Sequence, residues 1–104
     1  MERSLIVYTH NSEKYIQRLI RSILEQIDVD NEQLIIVDDM STDNTVPIII
    51  QEIGYWFTEE DKFKLYINTT EKGKKESVEM AKQIASGNFK FIINKKGRVK
   101  IWYN

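Results

Sequence analysis

An unbroken apolar run, Leu34-Ile35-Ile36-Val37, ends in two carboxylates, Asp38 and Asp39, and passes almost at once into Ser41-Thr42-Asp43-Asn44-Thr45. A run that is apolar at every position fits a strand buried on both faces of a parallel sheet rather than one with a wet face. The Ser-Thr-Asp-Asn cluster after it is a helix start. Open α/β sheets bind ligands beyond the carboxyl ends of their strands. The two acids therefore stand where such a sheet keeps its site.

The rest of the chain repeats this alternation. Ser4 to Thr9 reads as a strand, Leu5-Ile6-Val7-Tyr8 being apolar throughout. Asn11 or Ser12 then caps a helix in which Tyr15, Ile16, Leu19, Ile20, Ile23, Leu24 and Ile27 recur on one face. Gln33 to Val37 is the second strand. Ser41 or Asp43 caps a second helix carrying Val46, Ile49, Ile50 and Ile53, with Pro47 in its first turn and Gly54 as its stop. Residues 55–61 read as an irregular connector with aromatic anchors. Phe63 to Ile67 is the third strand. A third helix spans Lys74 to Ala85, with Val78, Ala81, Ile84 and Ala85 inward and Gly87 as its stop. Phe89 to Ile93 and Val99 to Tyr103 are strands around a turn at Gly97. This β-α-β-α-β-α-β-β order predicts a parallel sheet covered by helices and closed by an antiparallel C-terminal edge strand.

At 104 residues and 41% hydrophobic composition, the chain fits one domain, residues 1–104, with a single core. No cysteine is present, which removes disulfides, thiol catalysis and thiolate metal sites and fits a reducing, cytoplasmic setting. The N-terminal segment is too short and polar for a signal peptide, and no apolar run approaches the length of a membrane span. One histidine, His10, excludes a histidine metal cluster or a triad within one chain. Net charge is −1 but polarised: residues 1–71 hold six Lys/Arg and fourteen Asp/Glu, residues 72–104 nine and two. Such asymmetry suits an anion site, nucleic acid or head-to-tail association, and equally a solvated lysine-rich surface.

Asn11-Ser12-Glu13-Lys14-Tyr15-Ile16 together with Val37-Asp38-Asp39-Met40-Ser41-Thr42-Asp43-Asn44-Thr45 resembles the nucleotide-sugar half of the inverting family-2 glycosyltransferases, which have the GT-A fold. The resemblance covers roughly residues 4 to 94. It implies a Rossmann-like three-layer α/β/α sheet of strand order 3-2-1-4. It also implies that one of the two acids hydrogen-bonds a nucleobase: Asp39, projecting beyond the strand, with Asp38 bracing the loop. His10 takes the place of the aromatic that faces the base, beside Asn11. Met40 replaces a frequent glycine. Thr70 to Ala81 corresponds to the Asn-x-Gly turn and following helix. There Val78 and Glu79 fall on the Arg-Asn positions, so the diphosphate side loses a cation, and Lys72, Lys74 and Lys75 near a helix start are its candidate replacements.

The metal-holding Asp-x-Asp of the family falls on Asn94 and Lys96. A charged lysine donates no lone pair to a metal, so no divalent cofactor is expected; Lys95, Lys96 or Arg98 can instead neutralise phosphate. No catalytic residue is expected either, because the family's acceptor base falls later than Asn104. The resemblance thus implies a domain derived from a nucleotide-sugar donor site that does not transfer sugar alone, with a nucleotide diphosphate or nucleotide sugar as ligand. The runner-up is a non-catalytic interaction module or homo-oligomerising scaffold, with a protein partner or homodimer formed through Trp56, Phe57, Trp102 and Tyr103. Nucleic-acid binding through Lys90, Lys95, Lys96, Arg98 and Lys100 is the weakest reading, because the remainder of the chain is acidic.

Overall fold

A computed structural model describes residues 2–54, 61–93 and 96–97. Its elements are β1 (Arg3–Thr9), α1 (Ile16–Leu24), β2 (Glu32–Asp38), α2 (Thr45–Ile53), β3 (Phe63–Ile67), α3 (Lys74–Ile84) and β4 (Phe89–Ile93). The expected connector aromatics Trp56 and Phe57, the Asn94 position, Lys95, Arg98, Lys100 and the edge strand at Val99–Tyr103 with Trp102 lie outside the described residues.

The four described strands form one sheet of order β3-β2-β1-β4, every pair parallel. β2 is buried at all of its positions, as its unbroken apolar run requires. The strand period of two sorts the side chains between two layers. Leu5, Val7, Leu34 and Ile36 pack with Ile16, Leu19, Ile20 and Ile23 of α1 and Ile49 and Ile53 of α2. On the opposite face, Ile6, Ile35 and Val37 meet Ala81 of α3. Two helices on one face and one on the other make a three-layer sandwich. The chain leaves β1 toward β2 and later returns to β1's other side as β4, so the strand order reverses beside β1. A crevice opens beyond the strand tips at such a reversal.

Several local expectations are corrected. Asn11 and Ser12 do not cap α1: its N-cap residue is Tyr15, without a side-chain cap, and the Ser12 backbone carbonyl takes the N–H groups of Tyr15 and Ile16. Neither Ser41 nor Asp43 is the N-cap of α2, which is Asn44 without a side-chain cap; Asp43, just before it, accepts the Thr45 N–H at 2.9 Å. Ile50 is 59% exposed, because only one face of α2 meets the sheet and the Ile48-Ile49-Ile50 run wraps past it. Gly87 is not the stop of α3, which ends at an extended Ala85. A β-carbon on Gly87 would collide with the Arg3 carbonyl carbon and lie 2.5 Å from the Ser4 nitrogen. Glycine is needed there so that the chain entering β4 can pass against β1, and its N–H donates to Ser4 Oγ.

Candidate functional site

The tips of β1, β2 and β3 and the segment before α3 converge on Asp39. Register sets this convergence: Thr9 pairs with Asp38 and Asp38 with Ile67, so the next residues, His10, Asp39 and Asn68, leave the sheet side by side. The Asp39 N–H donates to the Thr9 carbonyl, and the Asn68 N–H to the Asp38 carbonyl.

Asp39 does not project into solvent as its place past the strand suggested; its exposure is 0%. Oδ1 accepts from Asn68 Nδ2 at 3.0 Å and from the Lys72 N–H at 2.8 Å. Oδ2 accepts from the Tyr8 hydroxyl at 2.8 Å and from the Gly73 N–H at 2.9 Å. A carboxylate has about four lone-pair sites, and here the chain itself fills them. Burial pushes the Asp39 carboxyl upward, but the bonds from Asn68, Lys72, Tyr8 and Gly73 outweigh it and hold the group well below the usual carboxylate range. The Tyr8 hydroxyl is pushed well above its ordinary value, first by burial and then by its bond to Asp39 and the charges of Asp39, Glu71 and Asp38.

Asp38 is also buried, and it braces the loop as expected. Oδ1 accepts from Thr9 Oγ1 at 2.7 Å and Ser41 Oγ at 2.6 Å, and Oδ2 from the Ser41 N–H at 2.9 Å. Asn11 works on the same loop. Its N–H donates to Ser41 Oγ and its Oδ1 accepts the Thr42 N–H, each at 2.8 Å. Asn11 and Met40 both have left-handed backbone, φ 45° and 57°. Met40 thus holds a torsion that glycine adopts without strain, and its side chain is 47% exposed.

His10 is half-buried at the lip. Its Nδ1 lies 2.6 Å from the Asp39 carbonyl oxygen. A carbonyl only accepts, so Nδ1 carries the proton, and in the neutral ring the lone pair sits on Nε2. Nε2 lies 3.6 Å from Glu71 Oε1.

The structure therefore gathers His10 and Asp39 with the backbone of Lys72 and Gly73. Asp38 and Asn11 serve the neighbouring β2–α2 loop. Lys72 contributes its N–H, while its side chain is exposed. Lys74 and Lys75 open α3 and line a surface groove of about 380 Å³ with Val78, Glu79 and Ile92 of β4. Tyr8, Asn68, Glu71 and Ser77, which accepts the second Asn68 N–H at 2.9 Å, were missed in the sequence. The available signal was positional: Asn68 follows β3 directly, as Asp39 follows β2.

Among the described residues, no helix is long and apolar enough to cross a membrane. Residues 4–98 match the family described as Glycosyl transferase family 2. The poly(ribitol-phosphate) beta-N-acetylglucosaminyltransferases TarS of two Staphylococcus aureus strains, Mu50 and MW2, are each 46% identical over 50 residues, covering 47% of this chain and 9% of theirs. The crystal structure of S. aureus TarS 1–349 superposes at a TM-score of 0.77 with 30% identity, covering 89% of this chain and 27% of that one. TarS 1–349 in complex with UDP superposes at 0.73 with 31% identity, over 89% and 27%. The mannosyltransferase PcManGT of Pyrobaculum calidifontis, in complex with GDP-Man and Mn2+, superposes at 0.69 with 26% identity, over 82% and 24%. The chain thus spans about a quarter of these structures and less than a tenth of the curated relatives.

Proposed function

The chain belongs to glycosyl transferase family 2, and we propose that its sheet edge is a nucleotide-sugar donor site, best suited to a UDP-sugar, that binds donor without transferring it unaided. The observation that carries this reading is the convergence of His10, Asp39 and the Lys72 and Gly73 N–H groups beyond the carboxyl ends of the parallel strands. The half-exposed His10 ring offers a face on which a base can stack, and Asp39 is the floor that fixes its height. A base N–H can reach the Asp39 carboxylate only if one of its four present donors lets go. Beyond Gly73, which bonds Asp39, Lys74 and Lys75 open α3 and line the groove between α3 and β4. A diphosphate lying there would meet two cations and the positive end of a helix. The choice of uridine rests on the likeness to TarS, whose structures include complexes with UDP and UDP-GlcNAc.

The metal that the family places at the end of the fourth strand does not fit this chain. Asn94 and Lys96 stand at the two acid positions. A hard divalent cation needs oxygen ligands, usually carboxylates, and a lysine ammonium offers none. Val78 and Glu79 further replace the Arg-Asn pair. For these reasons the site is read as donor binding, with transfer dependent on groups outside it. Calorimetric titration with UDP, GDP and uridine, with and without manganese, tests the reading. UDP is expected to bind with no manganese dependence, ahead of both others. Equal, absent or strictly manganese-dependent binding contradicts it.

A further inference from the structure

We propose that His10 Nε2 and Glu71 Oε1 form a binding site for a divalent transition cation of the zinc class. The separation of 3.6 Å is the first reason. It is too long for a direct hydrogen bond, which needs roughly 2.7–3.2 Å. It is too short for a bridging water, which would hold its two partners roughly 4.5 Å apart at ordinary hydrogen-bond lengths. Two ligand atoms each about 2.0–2.2 Å from one tetrahedral ion stand roughly 3.3–3.6 Å apart, which the pair meets without movement of the backbone.

The second reason is the tautomer. The Asp39 carbonyl takes the Nδ1 proton at 2.6 Å, which fixes the ring and leaves the Nε2 lone pair directed outward. Metal-binding histidines are typically oriented by such a bond from the other ring nitrogen. The Asp39 carboxylate is the third member of this cluster, whose ligand atoms lie within 4.8 Å of one another. Its lone pairs are already taken by Tyr8, Asn68, Lys72 and Gly73, so it contributes negative charge rather than a bond. The remaining coordination positions are left to water or to an anionic oxygen. Imidazole with one carboxylate favours zinc, nickel or cobalt over magnesium or calcium, which prefer all-oxygen sites. The site sits on a different strand end from the family's Asp-x-Asp position, and it does not depend on nucleotide binding.

His10 is the sole histidine and there is no cysteine, so its ring protons report the site without ambiguity. The test is an NMR titration of the full chain with zinc alone, repeated with Glu71→Gln and with magnesium. Saturating shifts of the His10 ring at sub-millimolar zinc are expected, weakened at least about tenfold in the Glu71→Gln variant and absent with magnesium. No ring shift at millimolar zinc, or the same zinc affinity in Glu71→Gln, overturns the proposal. Because no nucleotide is present, this result is separate from the calorimetry above.

Discussion

The Gly73 N–H donates to Asp39 Oδ2 across 2.9 Å, tying the entry of α3 to the tip of β2. Gly73 has φ 84°, a left-handed torsion that other residues adopt only with strain. With the Lys72 N–H on the other carboxylate oxygen, this bond makes one acid the anchor of Lys72 and Gly73 together.

Asp39→Ala is therefore expected to destabilise the fold by at least about 3 kcal/mol, since buried donors such as the Asn68 amide lose a charged acceptor. The pH dependence follows from the lowered Asp39 carboxyl. At neutral pH the group is ionised folded or unfolded, and its contribution is complete. The unfolded chain takes the proton near pH 4, the folded chain only at lower pH. Below that point the unfolded state binds more protons, and stability falls as pH drops toward the folded value. Acid unfolding followed by circular dichroism should be steeper below about pH 4 in the parent than in Asp39→Ala.

Gly87→Ala drives a methyl group into the Arg3 and Ser4 backbone, 2.5 Å from the Ser4 nitrogen. Neither backbone segment can rotate away, so the β1–β4 pairing must shift. A loss of about 2 kcal/mol is expected in denaturant melts. A neutral substitution would mean that β4 does not pass β1 this closely.

Met40 holds a left-handed torsion, φ 57°, which costs a side-chain-bearing residue about 1–2 kcal/mol. Met40→Gly removes that strain and adds back some unfolded-chain entropy. The net expectation is a gain of up to about 1 kcal/mol, seen as a higher denaturation midpoint.

Replacing Lys74 and Lys75 together by Glu reverses two charges beside the proposed diphosphate groove. UDP binding should weaken by roughly tenfold or more at low salt, and less at high salt, as screening predicts. Binding of uridine, which lacks phosphate, should change little.

Much of the fold was legible because the apolar runs are strong. Phe63–Ile67 and Phe89–Ile93 are strands within the bounds their composition suggests, and Gly54 ends α2 with φ 45°. Gly87 misled because a glycine just after a helix reads as a stop, whereas what selects it is contact with a strand more than eighty positions away. In the site, Asp38 as loop brace and His10 beside Asp39 were what the family resemblance implied, and the hydrogen bonds place them so. That Asp39 turns inward does not, because it depends on Tyr8 and Asn68 meeting it from neighbouring strands in a particular register. Parallel strands are joined by long crossovers rather than tight turns, so no turn signature in the sequence marks which residues will stand side by side.

The most direct measurement of the central claim is an amide-shift NMR titration of the chain with UDP, with uridine and GDP as references. UDP is expected to move the amides of His10, Asp39 and Lys72 to Lys75, with uridine sparing Lys74 and Lys75. No shifts at millimolar UDP, or shifts confined to other parts of the sheet, would contradict a donor site at this edge.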